Sequence, residues 1–513
     1  MKVAIRVDAS LKIGTGHVMR CLTLADELKM RGAEVLFICR NHSGNLIDYI
    51  ERSGYKVAKL LEASMSERFD QGKNVSNCND WLGVPSEIDA AETLNVLESE
   101  KLIDWLIIDH YSIDASWEKK QINSVNKIMV IDDLANRAHN CHVLLDQNFY
   151  LDKNDRYKGL IPDNCQLFLG PKYSLLRSEF REQRKKTNGI NKKNKKIENI
   201  FVFFGGVDLK NHTMKAIEAL ISIVSEEIKI NVVIGRTNPY IVELKKICSS
   251  VKNINLHVQV EDMAKMMAAA DLSIGSGGTV TWERCCLGLP TIAWPVADNQ
   301  KKLLKDSARF GLVYMPDFTE PSVDEIVVQV RALMQNMSLC ESMRDKGLAT
   351  IDGKGVIRIA NFICSPVIDL SVADKGDMEK IFNWRNEPEV RVYSHSSKEI
   401  DLAGHESWYE EVLADDNRHI LIGSMNDHDI GVIRFDVSES EAEISIYLVK
   451  EMMGKGYGSA FVKTGEKWLK RNCPEVKYIV AEVLHDNNVS MRLFEICDYE
   501  LNEVRYRKSI SNV

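Results

Sequence analysis

The stretch KVAIRVDASLKIGTGHVMRCLTLADELKM, residues 2–30, sets the fold of the chain that contains it. Residues 2–8 are a β-branched run of strand length. From Val18 onward Cys21, Leu22, Ala25 and Leu28 recur at three- and four-residue spacing, which gives a helix one apolar face. A second strand-like run, EVLFICR (34–40), follows, so the three form a βαβ unit with parallel strands. IGTGHVMR (13–20) lies between the first strand and the helix, where an open α/β sheet places its ligands. Gly14 and Gly16 let backbone approach a ligand closely, and the helix start offers unpaired N–H groups to an anion. His17 adds an imidazole, the side chain suited to proton transfer near neutral pH. A capping or packing role is the plain alternative for a single histidine.

The alternation continues through DWLIIDH (104–110) and KIMVIDD (127–133). REQRKKTNGINKKNKK (181–196) is basic and almost free of apolar residues, so it reads as a linker, with phosphate binding as its alternative. Strands restart at NIFVFFGG (199–206), INVVIG (230–235), DLSIGSGG (271–278) and TIAWPV (291–296). After Pro366 the order changes to a helix followed by HILIGS, DIGVIRFDV and EAEISIYLV, which read as successive antiparallel strands. The expected organisation is an α/β lobe over 1–180, a linker over 181–198, a second α/β lobe over 199–362 and an α+β domain over 367–513. A chain of 513 residues exceeds the roughly 250–300 at which one core stops growing, so several domains are expected.

The composition, 45% hydrophobic and 27% charged with net charge -8, gives no electrostatic reason to bind nucleic acid or an anionic membrane. The N-terminus reaches Arg6 and Asp8 before any signal-like apolar stretch, and no later run approaches the roughly 20 residues of a spanning helix. A cytoplasmic protein is expected. Twelve cysteines without a CxxC pair read as reduced core thiols, and no Asp-x-Asp or His/Cys cluster is placed as a metal ligand set.

In the second lobe SGGTVTWE (276–283) follows a strand, so Gly277 and Gly278 can line a phosphate site at the start of a helix near Thr279. Glu283, one turn in, could accept hydrogen bonds from a ribose diol. Arg6, Asp8, Asp109 and Tyr111 stand at strand ends facing the same cleft and are candidate sugar contacts, although ordinary turn residues would look alike.

GTGHVMRC, IIDHYSIDASWE (107–118), VIDDLANRAHNCHVLLDQN (130–148), LGPKYSLLRSEF (169–180), FFGGVD (203–208), EDMAKMMAAADLSIGSGGTVTWE and ADNQ (297–300) together resemble the UDP-sugar hydrolases of pseudaminic acid biosynthesis. That family is similar to glycosyltransferases of GT-B fold, so the resemblance, over roughly residues 1–350, implies two Rossmann-like lobes. It implies hydrolysis of UDP-2,4-diacetamido-2,4,6-trideoxy-β-L-altropyranose to UDP and free sugar, and the lack of a metal ligand set in the sequence adds the expectation that no metal is needed. His17 matches the catalytic histidine, Gly277 and Gly278 the diphosphate cradle, and Glu283 the ribose ligand. Asn299 is a sugar or phosphate contact in that comparison. Met263 matches a position whose backbone reads the uracil edge, with core packing as the alternative. A UDP-sugar glycosyltransferase is the rival reading.

EISIYLVKEMMGKGYGSAFV (443–462) is a strand, a glycine-rich turn and a helix, in which Gly454, Gly456 and Gly458 leave backbone amides uncovered for a pyrophosphate. The spacing resembles the GNAT acetyltransferases, although Met453 stands where that motif has Gln or Arg. The resemblance implies acetyl-CoA as cosubstrate, with contacts at Val449, Gly454, Lys455, Gly456, Tyr457, Gly458 and Ser459. AEVLHDNNVSMRLFEICDYEL (481–501) is similar to the family's closing strand and Asn-x-x-Ser helix start, which adds Asn487 and Ser490. Phe494 replaces the Tyr that in many members protonates the leaving thiolate, and Glu443 is a candidate base acting through water. WRNEPEVRVYS (384–394) and HESWY (405–409) resemble acetyltransferases of UDP-linked 4-amino sugars and, more distantly, those of ribosomal-protein N-termini. A bifunctional enzyme acting on UDP-linked aminosugars is the expectation; a UDP-sugar-binding scaffold with an inactive acetyltransferase domain is the alternative. The sequence carries no signal of oligomeric state.

Overall fold

A computed structural model describes residues 1–61, 81–100, 102–187, 196–260, 262–317, 320–364, 368–393, 398–425, 428–454, 457–484 and 486–501. The chain divides into two compact units, Met1–Cys364 and Ser365–Val513.

The first unit holds two parallel sheets. One is built from β1 (Lys2–Val7), β2 (Glu34–Arg40), β3 (Lys56–Leu60), β4 (Ile103–Asp109), β5 (Val125–Ile131), β6 (Val143–Asp146) and β7 (Gln166–Leu169), in the order β3-β2-β1-β4-β5-β6-β7. Its central strands are buried on both faces because helices cover each side, which is why they read as near-continuous apolar runs. The helix between β1 and β2, α1 (Gly16–Met30), turns Val18, Cys21, Leu22, Ala25 and Leu28 into the core, as its spacing predicts. The second sheet has the order β10-β9-β8-β11-β12 from β8 (Asn199–Phe203), β9 (Lys229–Ile234), β10 (Ile254–Val258), β11 (Leu272–Ser276) and β12 (Thr291–Trp294). Both are α/β lobes of the expected kind, and the strands at β3, β6, β7 and β10 are additions to those read from the sequence.

Two features differ from the expected boundaries. Residues 181–187, read as the start of a linker, continue a helix, Ser178–Thr187. Arg184 on that helix donates to the carbonyls of Cys286, Leu348 and Ile351, so hydrogen bonding to helix and loop ends anchors a segment with little apolar surface. Residues 188–195 of the linker lie outside the described residues. The second lobe also does not keep its last helix: Gly355–Ile363 buries Val356, Ile359, Ala360 and Ile363 in the core of the first lobe, with α1. Gly355 permits this, since a Cβ there would meet the Ser174 carbonyl oxygen at 2.3 Å.

The second unit holds one sheet of β13 (Asp369–Val372), β14 (Arg418–Met425), β15 (His428–Ser438), β16 (Glu441–Leu448) and β17 (Tyr478–Val480), in sequence order. It is antiparallel except for β16 and β17, which run parallel and pair only over Glu441–Glu443 with Tyr478–Val480. Among the described residues the rest of β16 has no partner on that edge, and a wedge opens between the two strands. The closing strand lies at 478–480, and residues 481–484, read as strand, are irregular.

Among the described residues no helix is long and apolar enough to cross a membrane, and no group of three or more His, Cys, Asp or Glu could hold a metal ion. The cysteines among them are free.

Candidate active site

The chain before α1 turns back on itself: Gly14, at φ +82°, donates its N–H to Ser10, and Ser10 Oγ accepts from Lys12 and Ile13. This delivers Gly16 and His17 as the first residues of the helix at the carboxyl end of β1. β4 ends beside them at Asp109, whose Oδ1 is 2.6 Å from His17 Nδ1. A carboxylate can only accept, so the imidazole presents Nδ1–H to it and Nε2 is left as the unprotonated nitrogen of the neutral ring. Arg20, one turn further along α1, holds Asp109 with Nε on Oδ2 and Nη2 on Oδ1, both at 2.6 Å. Burial raises the pKa of Asp109, but the charges of Arg20 and then His17 outweigh it, and the carboxyl stays far below the usual carboxylate range. The dyad is thus oriented by a permanently ionised, fully buried acid.

His17 packs edge-on against Tyr111 at 4.7 Å between ring centroids, and Tyr111 stacks with Trp81 at 5.3 Å. The Tyr111 hydroxyl donates to Asp133 at 2.5 Å, and burial followed by the Asp133 charge drives its pKa well above that of a free phenol. Asp133 also accepts from Asn148 Nδ2 at 3.0 Å and lies 3.5 Å from Arg20 Nη1.

A cavity of about 260 Å³ lies between the lobes, lined on the first-lobe side by Ile13, Gly16, His17, Arg20, Tyr111, Asp133 and Asn148, and on the other by Gly278, Thr279, Asn299, Gln300 and Leu303. Three helices begin on it: α1 at Gly16, a helix at Thr279 (Thr279–Cys286) and one at Asn299 (Asn299–Phe310). None of the three has a side chain capping its first N–H groups, and none carries an acidic residue in its first turn. Those N–H groups and the aligned dipoles make an anion-binding wall. Gly278 is the residue before the second helix and sits at φ +95°, a conformation that disfavours any side chain. Gln300 Oε1 accepts from Val296 N, which leaves its amide N–H₂ as a further donor.

Of the expected residues, the structure brings Gly16, His17, Tyr111, Gly278, Thr279 and Asn299 to this cavity. Gly14 belongs to the approach loop, and Gly277 packs under the cradle, where a Cβ would meet Leu304 at 2.9 Å. Arg6 and Asp8 are corrected: both are fully buried, Arg6 Nη1 and Nη2 bonding Asp8 at 2.6 Å and Asp89 at 2.7 Å. A central strand covered on both faces turns its side chains into core even near its end, so this pair is an internal ion network. Met263 and Glu283 stand outside the cavity lining. The Met263 side chain is core, and Glu283 is 3.8 Å from Arg177, its carboxyl pushed up by burial. Arg20, Asp133, Asn148 and Gln300 were not anticipated. Arg20 is three residues from His17 on one helix, a spacing that could have signalled it.

In the second unit Gly454, at φ +71°, has open space where a Cβ would stand, and the helix Tyr457–Asn472 begins shortly after it, on the chain that leaves the β16 edge of the wedge. These features fit an acyl-CoA: strand groups at the wedge for the pantetheine amides, a bare turn and a helix start for the pyrophosphate. Lys455 and Gly456 lie outside the described residues. Tyr457 and Ser459 lie in the first turn of that helix. Gly458 is occupied by packing, with Leu493 3.1 Å from an ideal Cβ. Val449 has its N–H on Ile430 and its carbonyl accepting from Met452, so both groups are engaged within the fold. Asn487 caps the helix Asn488–Ile496 through Ser490 N at 3.0 Å. Phe494 is core, packed at 5.0 Å on Tyr499. Glu443 lies on the last paired position before the wedge opens.

Residues 369–500 match the family described as Acetyltransferase (GNAT) domain. The chain is 31% identical over 291 residues to the UDP-2,4-diacetamido-2,4,6-trideoxy-beta-L-altropyranose hydrolase of Campylobacter jejuni, covering 56% of this chain and 89% of that protein. It is 27% identical to an uncharacterized protein of Methanocaldococcus jannaschii, with 96% of each covered. The crystal structure of Acinetobacter baumannii MurG aligns with 71% of this chain and 98% of its own at a TM-score of 0.50 and 14% identity, a likeness of fold alone. The chain belongs to the family of the UDP-2,4-diacetamido-2,4,6-trideoxy-β-L-altropyranose hydrolase and carries a GNAT acetyltransferase domain fused behind it.

Proposed function

We propose that the chain is bifunctional: it acetylates the 4-amino group of UDP-4-amino-4,6-dideoxy-N-acetyl-β-L-altrosamine with acetyl-CoA and hydrolyses the resulting UDP-2,4-diacetamido sugar. The acetylation belongs to residues 367–513, and the hydrolysis to the lobes at 1–180 and 199–362. Both reactions belong to the cytoplasm, since nucleotide sugars and acetyl-CoA are charged molecules that do not cross a bilayer unaided. The observation that carries the hydrolysis is the pairing of three uncapped helix starts with the His17–Asp109 dyad across one cavity.

In this reading the diphosphate lies against Gly16, Gly278, Thr279, Asn299 and Gln300. His17 Nε2 takes a proton from water, the water oxygen bonds to the anomeric carbon, and the bond from that carbon to the phosphate oxygen breaks, its electron pair leaving with UDP. Helix N–H groups stabilise the charge that develops on the departing diphosphate, the form of catalysis in which fixed donors need no reorganisation. Glu283 grips the ribose and backbone at Met263 the uracil, away from the breaking bond. In the second domain the neutral amine nitrogen bonds to the thioester carbonyl carbon, the carbon–sulfur bond breaks with its electron pair leaving on sulfur, and the proton that the nitrogen gives up ends on the thiolate, carried by water or by a group other than Phe494.

The decisive experiment supplies acetyl-CoA and the UDP-4-amino sugar and follows both free CoA thiol and UDP. Both are expected to appear, UDP only after acetylation. UDP release that requires a second sugar or lipid acceptor would replace hydrolysis by glycosyl transfer.

A further inference from the structure

Asn148 stands between the two halves of the hydrolase site. It follows β6 in the first lobe, is 7% exposed and lines the cavity. Its Oδ1 accepts from the indole N–H of Trp282 at 2.9 Å, and Trp282 belongs to the second-lobe helix that begins at Thr279. Its Nδ2 donates to Asp133 at 3.0 Å. The amide cannot be reversed: an indole N–H only donates and a carboxylate only accepts, so the chemistry of the neighbours fixes which end faces which lobe. From Asp133 the contacts continue to Arg20 at 3.5 Å and to Tyr111 at 2.5 Å, from Arg20 to Asp109, and from Asp109 to His17.

We propose that Asn148 is a positioning residue which ties the nucleotide-binding helix of the second lobe to the orientation of His17 in the first. The inference rests on the hydrolase reading and names the link through which the nucleotide half of the site sets the catalytic half. Other polar bonds cross between the lobes, Gln147 Nε2 to Thr279 Oγ1 at 3.4 Å and Leu151 N to Asp306 at 3.3 Å among them, but Asn148 joins its bond across the lobes to Asp133 and through it to Arg20. When the second-lobe helix is in place Trp282 holds the amide, the amide shares the charge of Asp133, and Arg20 remains bidentate on Asp109. Without the indole bond Asp133 draws Arg20 toward itself, its hold on Asp109 loosens, and Asp109 is freer to stabilise an imidazolium at His17. Among the described residues the charged or titratable groups facing that imidazole are Asp109, Arg20 and Tyr111, with Asp133 behind Arg20; the cavity wall opposite, Gly278, Thr279, Asn299 and Gln300, is uncharged.

The test is a cycle of W282F, N148A and the double variant in the full chain, read by the NMR titration of the His17 imidazole, assigned by its loss in H17Q, and by UDP release. W282F keeps an aromatic ring in its pocket and removes only the N–H donor and the smaller ring's share of packing. The His17 midpoint is expected to rise in W282F and in N148A and to move no further in the double variant, because both break one connection. UDP release should fall about tenfold in N148A, the scale of the lost hydrogen bond to the charged Asp133, and about threefold in W282F, whose lost bond joins two neutral groups, while calorimetric affinity for UDP alone stays within about twofold in both. A His17 midpoint that W282F and N148A leave in place overturns the relay, as do additive effects in the double variant. A midpoint that moves as described in a protein whose wild type releases no UDP upholds the relay and overturns the hydrolysis it was proposed to serve.

Discussion

Arg20 gives Asp109 two hydrogen bonds of 2.6 Å, and the Asp109 oxygen that takes one of them also lies 2.6 Å from His17 Nδ1. One guanidinium thus keeps the acid ionised and its geometry fixed, so that the acid in turn fixes the imidazole. The site's proton chemistry is concentrated in one nitrogen, and its failure should be specific.

Replacing His17 with Ala should lower UDP release by about 10² to 10⁴-fold, the usual worth of general-base help. Release of CoA from acetyl-CoA with the 4-amino sugar should be unaffected, since that chemistry belongs to the other unit. Parallel assays of the two products check this; UDP release at the wild-type rate would remove His17 from the mechanism.

Asp109 links the site to pH stability. Its folded pKa is depressed by Arg20 and His17 against the opposing effect of burial, so its contribution is present above the ordinary carboxyl value of about 3.9 and is lost as pH falls toward the folded value. Unfolding monitored from pH 7 to 3 should show stability declining below about pH 4, and D109N should lack part of that decline while being less stable at neutrality. An identical pH slope in both proteins would contradict the assignment.

Glu283→Ala should raise KM for the UDP-sugar more than it lowers kcat, because a ribose contact binds ground and transition states alike. Steady-state kinetics with the diacetamido substrate measures the split, and an unchanged KM would withdraw the ribose role.

Hydrolysis should continue in EDTA, since helix N-termini supply the positive field that a divalent ion supplies elsewhere. Loss of UDP release on chelation and its return with magnesium would show that the uncapped helix starts are insufficient.

In the acetyltransferase domain Gly454→Val should stop CoA release, since a β-branched residue is strained at φ +71° and would cover the bare turn. Hydrolysis of pre-acetylated substrate should persist in the same protein. Normal acetyl transfer by G454V would move the pyrophosphate site elsewhere.

The parallel strands were legible because strands buried on both faces are apolar throughout, and α1 because its spacing is that of one face. The cavity residues at turns, Gly16, His17, Gly278 and Thr279, were legible because glycine at a helix start after a strand end leaves backbone N–H groups open to a ligand, although the same position can also serve close packing, as at Gly277 and Gly355. Arg6 and Asp8 misled because a charge near a strand end looks the same in sequence whether it faces a cleft or an internal partner, and the partner, Asp89, is more than 80 residues away. Asn148 and Asp133 were illegible for the same reason: their meaning lies in Trp282, in the other lobe. Residues 181–187 were read as linker from their charge, yet a helix can be held by what its arginine does with distant carbonyls.

The return of the helix Gly355–Ile363 to the first lobe has a consequence for synthesis. Val356, Ile359, Ala360 and Ile363 complete a core whose other members begin at Val3. A ribosome adding about 5–20 residues each second therefore exposes that unfinished face for tens of seconds while the whole second lobe is made. The lobe that emerges first is sealed last, and a nascent chain halted before residue 355 leaves the groove beside α1 open to whatever apolar surface reaches it first.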